Sequence, residues 1–192
     1  MVTPGAAITR CPWSDHDDAL VREYHDHEWG KLNLDERYLF EMLVLELFQS
    51  GLSWSTVLHK RLSFKQAFHN FIPEEVAQMS ALEQTRLLQN KAIIRNQRKI
   101  AAAVTNARAL LIIDAKYGSF AHYLQKFIPT PIIHHPQTSA EVPTTNKIAQ
   151  ELAKQMKKDG FTFVGPVILY SFLQSVGLIN DHLENCPFKY HG

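Results

Sequence analysis

Residues 35–50 read DERYLFEMLVLELFQS. Apolar side chains fall on nearly every side of a helix drawn through this stretch. That pattern predicts one continuous helix at the centre of a fold, not an amphipathic one on its surface. Working outward, Ser80-Ala-Leu-Glu83 has the spacing of a capping box, which predicts a helix opening there and running through Gln89. The run from Asn96 puts Ile100, Val104, Ala107 and Leu111 on one face and ends near Gly118, a suitable C-terminal stop. Another helix fits Asn146 to Lys158, closed by Gly160. A last one fits Gly165-Pro166 to Gly177, with proline in its first turn. Residues 129–143, PTPIIHHPQTSAEVP, are proline-rich without a helical period and read as a surface loop. Period-two alternation is absent, so the expected fold class is all-α.

At 192 residues the chain suits one compact domain, or two lobes sharing a cleft. Apolar residues at 45% and charged residues at 20% are ordinary for a soluble globular protein. A net charge of +1 selects no partner, so a nucleic-acid enzyme of this composition must concentrate its basic groups locally. The first ten residues, MVTPGAAITR, lack the basic start and apolar core of a secretory signal, and no apolar stretch is long enough to span a membrane. A cytoplasmic monomer is expected, with a flexible lead-in over residues 1–9 and a single domain over 10–192. In a reducing compartment Cys11 and Cys186, near opposite ends of the chain, are free thiols or metal ligands rather than a disulfide.

Four constellations could carry chemistry. Cys11, His25, His182 and Cys186 form a candidate zinc set, with His182 and Cys186 at the i, i+4 spacing of one helical face. Four nitrogen and sulfur ligands would close the coordination shell and make the ion structural. Spacing alone favours two buried thiols and ordinary histidines, since a chance His-x-x-x-Cys is easy to find among ten histidines. Glu46 shares the apolar face of Leu39, Met42 and Leu43, where a carboxylate is costly unless it is paired or lines a pocket. Trp13, Trp29 and Trp54 all fall in the first 54 residues beside Tyr24, either as core or as faces that sandwich a planar, positively charged base. Residues 157–166, KKDGFTFVGP, read as a helix, a glycine-bounded turn and a second helix. Such a hairpin aims backbone N–H groups at a phosphate.

These residues sit inside longer matching stretches. They are Arg10-Cys11-Pro12-Trp13, Tyr24-His25-Asp26-His27-Glu28-Trp29-Gly30, Leu39-Phe40-Glu41-Met42, Leu45-Glu46 and Gln49-Ser50-Gly51-Leu52-Ser53-Trp54. Further along come Ile93-Ile94-Arg95-Asn96, Lys99-Ile100, Asn106-Ala107-Arg108, Gly160-Phe161-Thr162-Phe163-Val164-Gly165, Tyr170-Ser171-Phe172 and Gly177-Leu178-Ile179-Asn180-Asp181-His182. In this order they resemble the constitutive DNA-3-methyladenine glycosylase I family of the helix-hairpin-helix glycosylase superfamily.

The resemblance implies a two-lobed helical fold, a hairpin near 157–166 and a structural zinc on Cys11, His25, His182 and Cys186 that joins the termini. It implies that Trp13, Tyr24, Glu46 and Trp54 hold the base, with Glu46 as the catalytic carboxylate. Gly51, Leu52, Gly160 and Gly165 would contact DNA, Leu52 as the wedge that fills the gap left by a flipped nucleotide. The implied reaction is hydrolysis of the glycosidic bond of 3-methyladenine in alkylated double-stranded DNA, releasing the free base. A monofunctional enzyme is expected, because Gly165 is followed by Pro166-Val167-Ile168-Leu169-Tyr170 and no lysine appears before Lys189. Asp181 is expected to back the zinc histidines. Leu47-Phe48 departs from the family's Gly-Gln pair and is expected to alter the pocket or nearby DNA contacts. Two rival readings are a non-catalytic zinc-stabilised DNA-binding module, which needs no buried acid at Glu46, and a zinc hydrolase, which needs an open coordination position.

Overall fold

The computed structural model describes residues 9–14 and 17–189. The expected flexible lead-in therefore lies outside the described residues apart from Thr9. α1 (Ala19–His27) opens at Asp18, whose carboxylate accepts from the backbone N–H groups of Leu20 and Val21. α2 (Glu36–Gln49) is the expected central helix, with every residue from Leu39 to Phe48 buried. Short helices follow: α3 (Trp54–Leu58), α4 (Arg61–Ala67), α5 (Pro73–Ala77) and α6 (Ala81–Leu87). The second half holds α7 (Gln97–Tyr117), α8 (Phe120–Gln125), α9 (Lys147–Lys158) and α10 (Pro166–Ser175). α2 packs against α3, α7, α8 and α10, while α9 packs along α10. No helix among the described residues is long and apolar enough to cross a membrane.

The long helices start and stop where their caps predict. Asn96 caps α7 through its side chain, and Gly118 ends it in the left-handed region at φ 89°. Ser80 and Glu83 form the reciprocal capping box of α6. The five-to-seven-residue helices α3, α4, α5 and α8 were not expected, because helices this short have little propagation of their own and exist through packing. Two further expectations are corrected. Ile132–Ile133 (β1), inside the expected surface loop, pairs in parallel with Ile179–Asn180 (β2), so that loop is stitched to the C-terminal segment. Residues 182–186 are not helical, so His182 and Cys186 do not share a helical face. There the chain leaves β2 in a turn, with the Cys186 N–H donating to the Leu183 carbonyl at 2.9 Å.

Leu47 and Phe48 also prove to be core residues, both fully buried. The Phe48 ring packs 4.6 Å from Phe64 and 5.8 Å from Phe68, and neither Leu47 nor Phe48 lines the cavity described next. The expectation that Leu47-Phe48 alters the pocket lining is therefore corrected: both side chains belong to the core.

Candidate active site

A cavity of about 510 Å³ opens between two walls. On one side α1 presents Tyr24, α2 presents Glu46 and α3 presents Trp54. Ser53 fixes the start of α3, its hydroxyl oxygen accepting from the Thr56 N–H at 3.2 Å. On the other side stand Tyr170, Ser171 and Gln174 of α10 together with Val142, Pro143 and Thr144 of the connecting loop. All four residues expected to hold a base, Trp13, Tyr24, Glu46 and Trp54, line this one cavity. The Tyr24 ring lies 5.0 Å from Trp54 and 6.4 Å from Trp13, and Trp13 is 37% exposed.

Three polar atoms of this cluster lack partners. Glu46 Oε2, the Tyr24 hydroxyl and Trp54 Nε1 are all buried without a hydrogen bond. Burial pushes the Glu46 carboxyl up to about 8, with no cation nearby to oppose the shift. The same burial, and then the negative charge of Glu46, holds the Tyr24 phenol well above its ordinary range. The alternative reading of Glu46 as half of a buried ion pair is thereby removed. The half-buried arginine Arg61 is instead committed to Glu28 at 2.8 Å and Glu41 at 2.7 Å.

Asp181 requires a correction. It lines the cavity, but its carboxylate bonds to other partners than the expected zinc histidines. Its carboxylate accepts from His134 Nδ1 at 2.6 Å, the Tyr170 hydroxyl at 2.6 Å and Gln174 Nε2 at 2.7 Å. Asp26 and Asn180 take the place expected for it. Asp26 accepts from His25 Nδ1 at 2.8 Å and is itself gripped by Arg10, while Asn180 Oδ1 lies 3.0 Å from His182 Nδ1.

At the edge of the cavity, which Cys11 itself lines, Cys11, His25 and Cys186 bring their donor atoms within 4.8 Å of one another, all three buried. A tetrahedral zinc with one thiolate and one imidazole would separate these atoms by about 3.6 Å. Cys186 Sγ lies 3.7 Å from His25 Nε2. The thiol pair is asymmetric: the hydrogen bond from Cys11 and then that from His25 hold the Cys186 thiol below its ordinary range. His182 is buried against His25, ring centroids 4.7 Å apart, but stands outside this group, its Nε2 3.4 Å from the His25 carbonyl. Gly30 allows this close packing, since a Cβ there would sit 2.8 Å from His182 Nδ1. Three of the four expected ligands thus converge; the fourth is their neighbour.

The expected DNA contacts lie away from the cavity lining. Gly51 turns the chain after α2 at φ 82°, which favours glycine, and leaves Leu52 43% exposed. Gly160 turns out of α9 at φ 95°, and Gly165 caps α10. The sequence reading had missed Ser171 and Gln174 as cavity residues. A signal for them existed: with Tyr170 they form a polar side on the mostly apolar PVILYSFLQS. For the loop wall at 142–144 no local signal existed.

A family model described as methyladenine glycosylase matches residues 13–190. The DNA-3-methyladenine glycosylase of Haemophilus influenzae is 42% identical over 182 residues, covering 94% of this chain and 98% of that protein. DNA-3-methyladenine glycosylase 1 of Escherichia coli is also 42% identical, over 180 residues, covering 93% of this chain and 96% of that protein. Among solved structures, 3-methyladenine DNA glycosylase I of Staphylococcus aureus, solved for its recognition of 3-methyladenine, superimposes with a TM-score of 0.93. It is 36% identical, covering 97% of this chain and 100% of that one.

Proposed function

Because this chain belongs to the methyladenine glycosylase family, we propose that it excises 3-methyladenine from alkylated DNA by hydrolysing the glycosidic bond of a nucleotide flipped into the cavity. The observation that carries this reading is the trio of orphaned polar atoms on Tyr24, Glu46 and Trp54 in one cavity. A buried polar group left without a partner costs about 1–3 kcal/mol. Three on one cavity call for a ligand that brings donors and an acceptor.

The chemistry follows from the lesion. A base inside the duplex is out of reach and must be extruded. Methylation at N3 makes the adenine cationic, so aromatic faces hold it by stacking and cation–π attraction. Glu46 accepts from its exocyclic amino group. When the glycosidic bond breaks, its electron pair passes to the base and cancels that charge; water then adds its oxygen to the sugar carbon and releases a proton. Asp181, its oxygens already taken by three donors, shapes the wall in this reading rather than receiving that proton. Leu52 enters the gap in the duplex, and the Gly160–Gly165 hairpin grips phosphates. The product strand stays uncut, since Lys189, buried and bound to Glu184, is not free to form a Schiff base.

In this reading residues 10–192 form a single two-lobed glycosylase domain acting as a cytoplasmic monomer on double-stranded DNA. Zinc suits the buried thiol and imidazole donors of Cys11, His25 and Cys186, with His182 as the fourth ligand after a turn of its ring. Held there, the ion supplies a structural link between the two ends of the chain and no catalytic step. A non-catalytic DNA-binding module gives no reason for the unpaired acid at Glu46.

The stacking role is tested with Trp54→Ala. Capture of free 3-methyladenine, followed by fluorescence titration, should weaken by about tenfold or more, the scale of one lost base–aromatic stack. Affinity for undamaged duplex should hold, since it rests on phosphate contacts. An equal loss of both, or of neither, would remove Trp54 from the base site.

A further inference from the structure

α7 carries two buried polar side chains that the excision chemistry does not use. Lys99 is 7% exposed and Asn106 fully buried. Seven residues apart, they share one side of the helix, about 10 Å apart along its axis. Lys99 Nζ donates to the Phe48 carbonyl at 2.9 Å and the Ser50 carbonyl at 2.7 Å. These carbonyls end α2, which exits through Ser50 at φ −52° and ψ 116°. The Ser50 hydroxyl donates to the Leu47 carbonyl at 3.1 Å, and the Leu52 N–H to that of Gln49 at 2.7 Å. Each carbonyl from Leu47 to Ser50 therefore has a donor, and one ammonium supplies two of the four. Burying an ammonium on neutral carbonyls is costly, and an apolar side chain of the same length would avoid that cost.

Asn106 does the equivalent for the hairpin. Its Oδ1 accepts from the Thr162 N–H at 2.8 Å, and its Nδ2 donates to the Thr162 carbonyl at 3.0 Å. The next residue, Phe163, is held at φ 55°, with the Arg98 guanidinium 5.6 Å over its ring. One helix thus reaches the backbone of both exposed turns through buried polar groups.

We infer that α7 is the frame that fixes the spacing between the Gly51-Leu52 turn and the Gly160–Gly165 hairpin, Lys99 positioning the first and Asn106 the second. The inference rests on the reading of those turns as wedge and phosphate grip. A duplex presents its phosphates and the lesion at a set separation. A loose frame therefore makes one contact at the expense of the other, as misplacement does at any preorganised site.

The test compares single-turnover release of 3-methyladenine from methylated duplex and from methylated single strand, alongside binding of the free base. Lys99→Met keeps the stem and loses the ammonium. Its duplex rate should fall about tenfold, the scale of a lost charge-assisted hydrogen bond. Single-strand release and free-base binding should stay at wild-type level, and Lys99→Arg, which can still donate to both carbonyls, should recover the duplex rate. Asn106→Ser should instead raise the protein concentration needed for half-maximal single-turnover release from duplex at an unchanged maximal rate, and it carries the test should Lys99→Met fail to fold. Equal losses on both substrates and on free-base binding would make Lys99 a stability residue only and overturn the proposal. Leu52→Ala is run in parallel. If it loses the duplex advantage while Lys99→Met keeps it, the frame is wrong and the wedge stands; if Leu52→Ala keeps it, the wedge reading itself has failed.

Discussion

Glu46→Gln should lower excision of 3-methyladenine by about tenfold to a hundredfold, because a charge-assisted hydrogen bond to the leaving base is worth roughly 1.5–3 kcal/mol. Glutamine keeps the shape, loses the charge and turns one acceptor into a donor. The pH profile sharpens the expectation. A cationic base needs the carboxylate, yet burial pushes Glu46 up to about 8, so the empty site is mostly protonated at neutral pH. In wild type kcat/KM should climb towards pH 8 and level off above it; in Glu46→Gln this limb should vanish.

Stability must move the opposite way. A carboxyl whose folded pKa is raised retains a proton that the unfolded chain releases, here between its ordinary value of 4.5 and about 8. Wild-type stability therefore falls as pH rises through that window. Glutamine has no such penalty, so the Tm of Glu46→Gln should meet or exceed that of wild type, with the gap widening towards pH 8. An ion-pair role for Glu46 requires the reverse, a variant that unfolds early at every pH.

The second large effect is expected at Cys186. Purified protein should carry about one equivalent of zinc by elemental analysis, as a closed four-ligand site requires. Cys186→Ser should lose most of it and melt about 10 °C lower, a loss of a few kcal/mol in a chain of this size. The loss should appear in Tm before it appears in kcat, since a metal held there would link the chain ends and touch no reacting atom. A metal-free wild type with unchanged melting would refute the zinc assignment.

What the sequence made legible, and what it hid, divides along physical lines. α2, α7, α9 and α10 are long, and their caps are written into neighbouring residues such as Asn96, Gly118 and Pro166, so local rules found them. α1 was missed although Asp18 marks its start, because ALVREYHDH is mostly polar and buries only Val21, Tyr24, His25 and Asp26. The pocket residues Tyr24, Glu46 and Trp54 could be named in advance, but the wall facing them could not. That wall comes from the 142–144 loop and α10, roughly a hundred residues further along the chain, and only tertiary packing brings it there. The misreading of His182 and Cys186 has a plain cause. An i, i+4 interval implies a shared face only on a helix, and after β2 the chain turns instead. Asp181 does not back the histidines expected to hold zinc for a related reason: the β1–β2 pair brings His134 over to its carboxylate instead.

The central claim is that the cavity between Glu46 and α10 excises a methylated adenine and leaves the strand whole. Its most direct test is to incubate wild-type protein with methylated duplex DNA, resolve the released bases by chromatography, and run the strands on a denaturing gel before and after alkali. The account predicts free 3-methyladenine, with strand breaks appearing only after alkali. Tight binding of that duplex with no base released, or strands already cut before alkali, would contradict it.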